Sequence, residues 1–113
     1  MQDLVLSQKI YDFLLYIYPV IERYPKHEKF VLQTQTKNCV LDLSRQVTKA
    51  NRSTTAKKSL LYEADAILQQ LKTLIRLAAD LKYLSLHRYE VISGKLKEIG
   101  SLLGGLIKFA QGK

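Results

Sequence analysis

The sequence predicts an all-α protein, an up-down-up-down antiparallel four-helix bundle in a single domain over residues 1–113. Three observations carry that expectation. Apolar residues recur at alternating three- and four-residue intervals along four successive segments, the pattern of a helical face turned toward a core. Breakers are missing from the middle of the chain, since Pro19 and Pro25 lie in its first quarter and all five glycines follow residue 93. No Asn-Gly or Asp-Gly pair marks a β-hairpin. A chain of 113 residues and 13.0 kDa with 47% hydrophobic composition is long enough to bury one core and too short to divide into two.

The first helix is expected over residues 5–24, with Leu6, Ile10, Phe13, Ile17, Ile21 and Tyr24 on one face. Pro25 closes it, because the residue before a proline is pushed out of helical geometry. Pro19 lies inside, where it removes a backbone hydrogen bond, so a kink is expected at Tyr16 to Tyr18. The second helix, over 26–51, carries Leu32, Thr36, Cys39, Leu43, Val47 and Ala50. Asn51 to Thr55 then break the pattern with hydroxyls suited to capping the next helix. The third, over 54–83, repeats Leu60, Ala64, Ile67, Leu71, Leu74, Ala78 and Leu81, flanked at heptad spacing by Leu61, Leu68 and Ile75. The fourth, over 86–111, aligns Tyr89, Ile92, Leu96, Ile99, Leu103, Leu106 and Ala110. Connections at Tyr24 to Lys26, Asn51 to Thr55 and Tyr83 to Leu86 are short, which makes consecutive helices antiparallel neighbours.

Eighteen Lys and Arg against ten Asp and Glu give a net charge of +8 and a pI near 9.6. That balance favours an anionic partner, nucleic acid first. A lone cysteine, Cys39, excludes an intramolecular disulfide and a thiolate-rich metal site and fits a reducing cytoplasm. No secretory leader is read at the N-terminus. The longest apolar stretch, Ile10 to Ile21, has twelve positions where a membrane span needs about 20. A soluble cytoplasmic protein is expected.

The charge is local. Residues 1–25 carry −1, while 26–52, 53–84 and 85–113 carry +4, +2 and +3. Residues 43–62 hold Arg45, Lys49, Arg52, Lys57 and Lys58 and no acid. The first three share a helical face, and the two lysines follow across the loop, so one end of the bundle is expected to neutralise phosphates. Cations at a helix C-terminus also complement its dipole. On the third helix, Lys58, Tyr62, Asp65, Gln69, Lys72, Arg76, Asp80 and Tyr83 lie within about 40° of one line opposite the core stripe. Arg76, flanked by apolar neighbours, is placed either to pair with Asp80 or to face a partner.

Two features point to assembly. Between Ile10 and Ile21 only Asp12 is charged, so the first helix is apolar almost all round, and a second apolar face needs a second subunit to cover it. Tyr11, Leu15 and Tyr18 are the candidate contacts, although packed rings with wet hydroxyls would account for Tyr11, Tyr16 and Tyr18. Gly94, Gly100, Gly104 and Gly105 each cost about 1 kcal/mol in a helix interior relative to alanine. Gly100 and Gly104, one turn apart, would let another helix approach closely, within the bundle or from a neighbouring subunit.

Catalysis finds no support. His27 and His87 fall in different inter-helix regions, and H-E-x-x-H, C-x-x-C, P-loop, G-x-S-x-G and Glu-x-x-His motifs are all absent. Cys39 lies on a core stripe, where a thiol acts as a small hydrophobe. No nucleophile, metal, cofactor or small-molecule substrate is assigned.

The run Tyr11 to Leu32, the segment Leu71 to Ala78 (Leu-Lys-Thr-Leu-Ile-Arg-Leu-Ala) and the segment Glu98 to Gly105 (Glu-Ile-Gly-Ser-Leu-Leu-Gly-Gly) together resemble the accessory variability determinant (Avd) proteins of diversity-generating retroelements. Those proteins fall within a broader four-helix-bundle family that includes rRNA intervening-sequence proteins. The resemblance implies a barrel-like homopentamer of four-helix protomers that binds nucleic acid and the retroelement's reverse transcriptase. In the mutagenic retrohoming that this association supports, template RNA is copied into cDNA with errors at adenines. Lys72 and Arg76 match the basic positions of the family's Leu-Arg-x-x-Leu-Arg pattern, with lysine standing for arginine at 72.

The leading expectation is a non-catalytic oligomeric accessory factor whose subunits sum weak phosphate contacts on RNA or DNA. The alternative is a four-helix protein-interaction scaffold, or an rRNA intervening-sequence-type protein, that does not bind nucleic acid directly.

Overall fold

The computed structural model describes residues 2–111; Met1, Gly112 and Lys113 of the sequence lie outside the described residues. Four helices, α1 (Gln2–Ile21), α2 (Leu32–Arg52), α3 (Lys57–Asp80) and α4 (Leu86–Gln111), pack into a bundle of 46 × 25 × 20 Å with no strand among the described residues. They form a square in which α1 and α3 each pack on both α2 and α4, and diagonal pairs do not meet. Side-chain bonds fix the up-down-up-down order. At one end, Lys57 at the start of α3 pairs with Asp3 at the start of α1 at 2.9 Å, and Asn51 at the end of α2 donates to Ser7 Oγ at 3.1 Å. At the other, Tyr83 after α3 donates to Glu28 before α2 at 2.8 Å.

The boundaries differ from the periodicity in places that have local causes. Helix α1 runs uninterrupted through Tyr16 to Tyr18, so Pro19 falls in its last turn rather than at a mid-helix kink. It stops at Ile21, earlier than expected, as the chain tightens through Tyr24 N–H to Ile21 carbonyl (3.0 Å) while Gln33 Nε2 donates to the same carbonyl (2.9 Å). Helix α2 starts at Leu32 rather than residue 26. Residues Lys26–Glu28 form a 3₁₀ turn that buries nothing, and Phe30 behind it is 84% exposed. Without an apolar face to bury, helical periodicity has nothing to hold it in place.

Ser53, Thr54 and Thr55 do not cap α3. Its N-cap is Ala56 with no side-chain bond, and the Ser53 hydroxyl accepts the Ala56 N–H at 2.9 Å instead. Helix α3 ends at Asp80 in a Schellman arrangement, with Tyr83 N–H on the Ala78 carbonyl (2.8 Å) and Lys82 N–H on the Ala79 carbonyl (3.0 Å). Lys82 occupies the left-handed position (φ 69°) where glycine is usual. The Ser85 hydroxyl accepts Arg88 N–H at 3.0 Å and opens α4.

All six stripe residues expected of the first helix are buried, as are all six of the second. In α3 the centre of the buried face lies one residue round from the expected row: Leu61, Leu68 and Ile75 are inside with Ala64, Leu71 and Ala78, while Leu60, Ile67 and Leu74 form the rim and Leu81 is exposed. In α4, Ile92, Leu96, Ile99, Leu103 and Leu106 are buried and Tyr89 and Ala110 are half-buried at the two ends of the row.

Tyr24 ends α1's buried row with its ring 5.6 Å from that of Tyr83. Its hydroxyl is buried without a hydrogen-bond partner among the described residues, and burial pushes its pKa up from 10.0 to about 12. The Tyr83 hydroxyl is also raised, first by its hydrogen bond to Glu28. A raised folded-state pKa gives stability that is complete below the unfolded value and lost as pH rises through the folded one. Urea unfolding is therefore expected to show stability falling from about pH 10 to pH 12. Tyr24→Phe should flatten that fall, and at pH 7 it should leave stability equal or raise it by up to ~1 kcal/mol, since it removes an orphan hydroxyl.

Candidate nucleic-acid interface

The outward face of α2 is set by its buried row, so Arg45, Lys49 and Arg52 point away from the core. The acid-free stretch is less free than its composition. Arg45 pairs with Asp42, one residue outside the stretch, and Lys57 is tied to Asp3 with both side chains about one-third exposed. Lys57 thus serves as a latch between the starts of α1 and α3. Lys49, Arg52 and Lys58 are exposed and have no ion-pair partner among the described residues.

Lys72 and Arg76 belong to a different surface. They face the α3–α4 seam, and α2 packs against the other side of α3, so they stand apart from Arg45, Lys49 and Arg52, while Lys57 and Lys58 at the start of α3 line a recess with Leu106, Phe109 and Ala110 of α4. Along the seam Lys72 lines a recess with Ile75, Tyr89, Ser93, Leu96 and Lys97. Arg76 lines the next recess with Lys82, Leu84, Leu86 and Tyr89. The Arg76 Nε lies 3.9 Å from Asp80 with its side chain 76% exposed, a solvated pair worth ~0–1 kcal/mol that leaves the guanidinium able to engage a phosphate.

Gly100 of α4 lies beside Lys72. A Cβ at Gly100 would sit 3.4 Å from Leu68 Cδ2 and 3.8 Å from Lys72 Nζ. Both are ordinary van der Waals separations, so Gly100 lies on the side of α4 that faces α3, and a methyl group would fit there. Gly104 differs, because a Cβ there would meet nothing within 4 Å. Tyr89, Lys97 and Lys82 were not singled out for binding from sequence. Tyr89 falls on the expected core stripe and is half-buried there, and the i, i+4, i+8 ladder Tyr89, Ser93, Lys97 is the sequence signal for the seam.

Helix α1 presents Leu4, Tyr11 and Leu15 outward at 69%, 56% and 62% exposure, opposite its buried row. Tyr18 departs from that stripe: it is half-buried, with Lys37 Nζ 4.9 Å from its ring centre and Lys37 in turn 3.2 Å from Glu22. Tyr16 is held by α4, accepting a hydrogen bond from Arg88 at 3.0 Å with Lys95 Nζ 4.7 Å from its ring centre. Over Asp3–Ile21, α1 is long and apolar enough to cross a membrane, with mean hydropathy 1.3, a wider window than the twelve-residue stretch. Its inward residues Leu6, Ile10, Phe13, Ile17 and Ile21 are already buried against the bundle.

Cys39 is buried on the core side of α2. Its thiol donates to the Ile67 carbonyl at 3.6 Å, and burial, with help from Asp42, raises its pKa. His27 Nε2 lies 3.2 Å from Tyr83 Oη at the far end of the bundle, and no group of three or more His, Cys, Asp or Glu among the described residues is placed to hold a metal ion.

A comparison with curated proteins returns no match. Among solved structures, the chain is similar to a protein of unknown function from the S23 ribosomal protein family of Bacteroides thetaiotaomicron VPI-5482, with a TM-score of 0.85, 22% identity, and coverage of 96% of this chain and 99% of that one. At that identity the likeness establishes the four-helix fold. A family model described as bAvd-like matches residues 4–110, nearly the whole bundle. The chain belongs to the bAvd-like family.

Proposed function

We propose that this protein is a non-catalytic accessory factor of a diversity-generating retroelement, acting as a homo-oligomer that binds template RNA or cDNA together with a reverse transcriptase during mutagenic retrohoming. The observation that carries the reading is the α3–α4 seam, where the family-pattern residues Lys72 and Arg76 line recesses shared with Lys97 and Lys82 of a chain with net charge +8. Phosphate neutralisation by such cations releases counterions, so affinity is independent of sequence and falls steeply with salt. Lys49, Arg52 and Lys58 add a second, looser set, and the cytoplasm is the compartment that suits the partners.

Assembly is supported by the outward stripe Leu4, Tyr11 and Leu15 and by the open surface at Gly104, which gains nothing from lacking a side chain inside its own protomer. A ring of subunits, five by the family resemblance, would multiply the charge and sum weak contacts by avidity. The same stripe favours a second reading, a scaffold that docks another protein through α1 while its charge only steers encounter. In that case RNA binding would be negligible near physiological salt.

Fluorescence anisotropy with a labelled structured RNA is expected to show strongly salt-dependent binding. Lys72→Glu and Arg76→Glu should each weaken it and reduce the salt slope by about one unit. Unchanged affinity in both variants would remove them from the interface. Light scattering after gel filtration should give a mass several times 13.0 kDa for the native chain and a shift toward 13.0 kDa for Leu15→Glu. A native monomer would refute assembly.

A further inference from the structure

We propose that the α3–α4 seam is built for unpaired nucleic acid, with Tyr89 as a stacking platform between two recesses. The inference rests on the nucleic-acid reading above and specifies the ligand. One recess, of about 280 Å³, is lined by Lys72, Lys97 and Tyr89 above the buried Ile75 and Leu96. The other, of about 610 Å³, has Leu84 and Leu86 as its apolar wall and Arg76 and Lys82 at its edge. Tyr89 lines both, half-buried against the core.

Each recess thus holds two cations, and they share one aromatic ring. Asp80 is the one carboxylate among the lining residues and lies 3.9 Å from Arg76, so the seam keeps a positive excess. A duplex meets such a seam only with its phosphates, because its bases are stacked inside and the rigid cylinder cannot enter a groove between two packed helices. A single strand can lay bases against the tyrosine and the exposed Leu86 while its phosphates stay beside the cations. Stacking on an aromatic side chain is tolerant of base identity and is worth on the order of tenfold in affinity. An acidic peptide matches the charge but gains nothing from the ring.

The chain has no tryptophan, so Tyr89→Trp places a sole indole at the junction of the recesses. Titration of that full-length variant with a twelve-nucleotide single-stranded RNA is expected to quench its fluorescence. Inorganic polyphosphate and polyglutamate should bind weakly and leave it unquenched. In anisotropy measurements Tyr89→Leu should weaken single-strand binding about tenfold while duplex binding holds, and Tyr89→Phe should restore it. Equal affinity for single strand and duplex, with Tyr89→Leu affecting neither, overturns the stacking site and leaves the broader nucleic-acid reading standing. Binding to no nucleic acid overturns both. Polyglutamate that binds as tightly as RNA and perturbs the indole equally assigns the seam to acidic peptides and overturns the proposal. Should Tyr89→Leu fail to fold by circular dichroism, the Tyr89→Trp titration decides.

Discussion

Each helix of this bundle must bury one apolar stripe against two neighbours, and that constraint decides where every other residue goes. The inward rows centred on Ile17, Leu43, Leu68 and Ile99 leave each helix a fixed outward arc. Helices pack at 8–10 Å only where side chains at the contact allow it. On α4, Gly100 sits at that contact beside Leu68 and Lys72. The seam between α3 and α4, its cations and its tyrosine all follow from which stripe is buried and how closely those two helices meet.

The same constraint separates the surfaces. Helix α1 has more apolar residues than its buried row can use, and the surplus, Leu4, Tyr11 and Leu15, faces away from the core. The segment that contains it is also the one with net negative charge, residues 1–25 at −1. Cations concentrate instead on the outward face of α2 and along the α3–α4 seam. An apolar, weakly acidic face and a basic grooved face on one small protomer fit a subunit that assembles by one side and holds an anionic polymer by the other.

Much of this was legible in the sequence because burial is periodic. The stripes through Leu6 to Tyr24 and Leu32 to Ala50 needed only counting, and the chain's likeness to Avd proteins agrees with the bAvd-like match over residues 4–110. What periodicity could not supply were facts between helices. The Asp3–Lys57 pair joins residues far apart in the chain, so Lys57 looked free until the two helix starts met. Lys97 looked like an ordinary surface lysine because its neighbour Lys72 is on another helix. Gly100 and Gly104 look alike in sequence, and only packing separates the one that meets α3 from the one that meets nothing. Residues 26–31 fall within the expected bounds of the second helix but bury no side chain that would hold them so.

The central claim is that nucleic acid lies along the α3–α4 seam rather than on the more conspicuous cluster around the α2–α3 loop. Lysine acetylation footprinting by mass spectrometry, with and without saturating single-stranded RNA, reads both surfaces in one sample. The account predicts protection of Lys72 and Lys97, with Lys49 and Lys58 as reactive as in the free protein. Protection confined to Lys49 and Lys58, or spread evenly over all four, would contradict it.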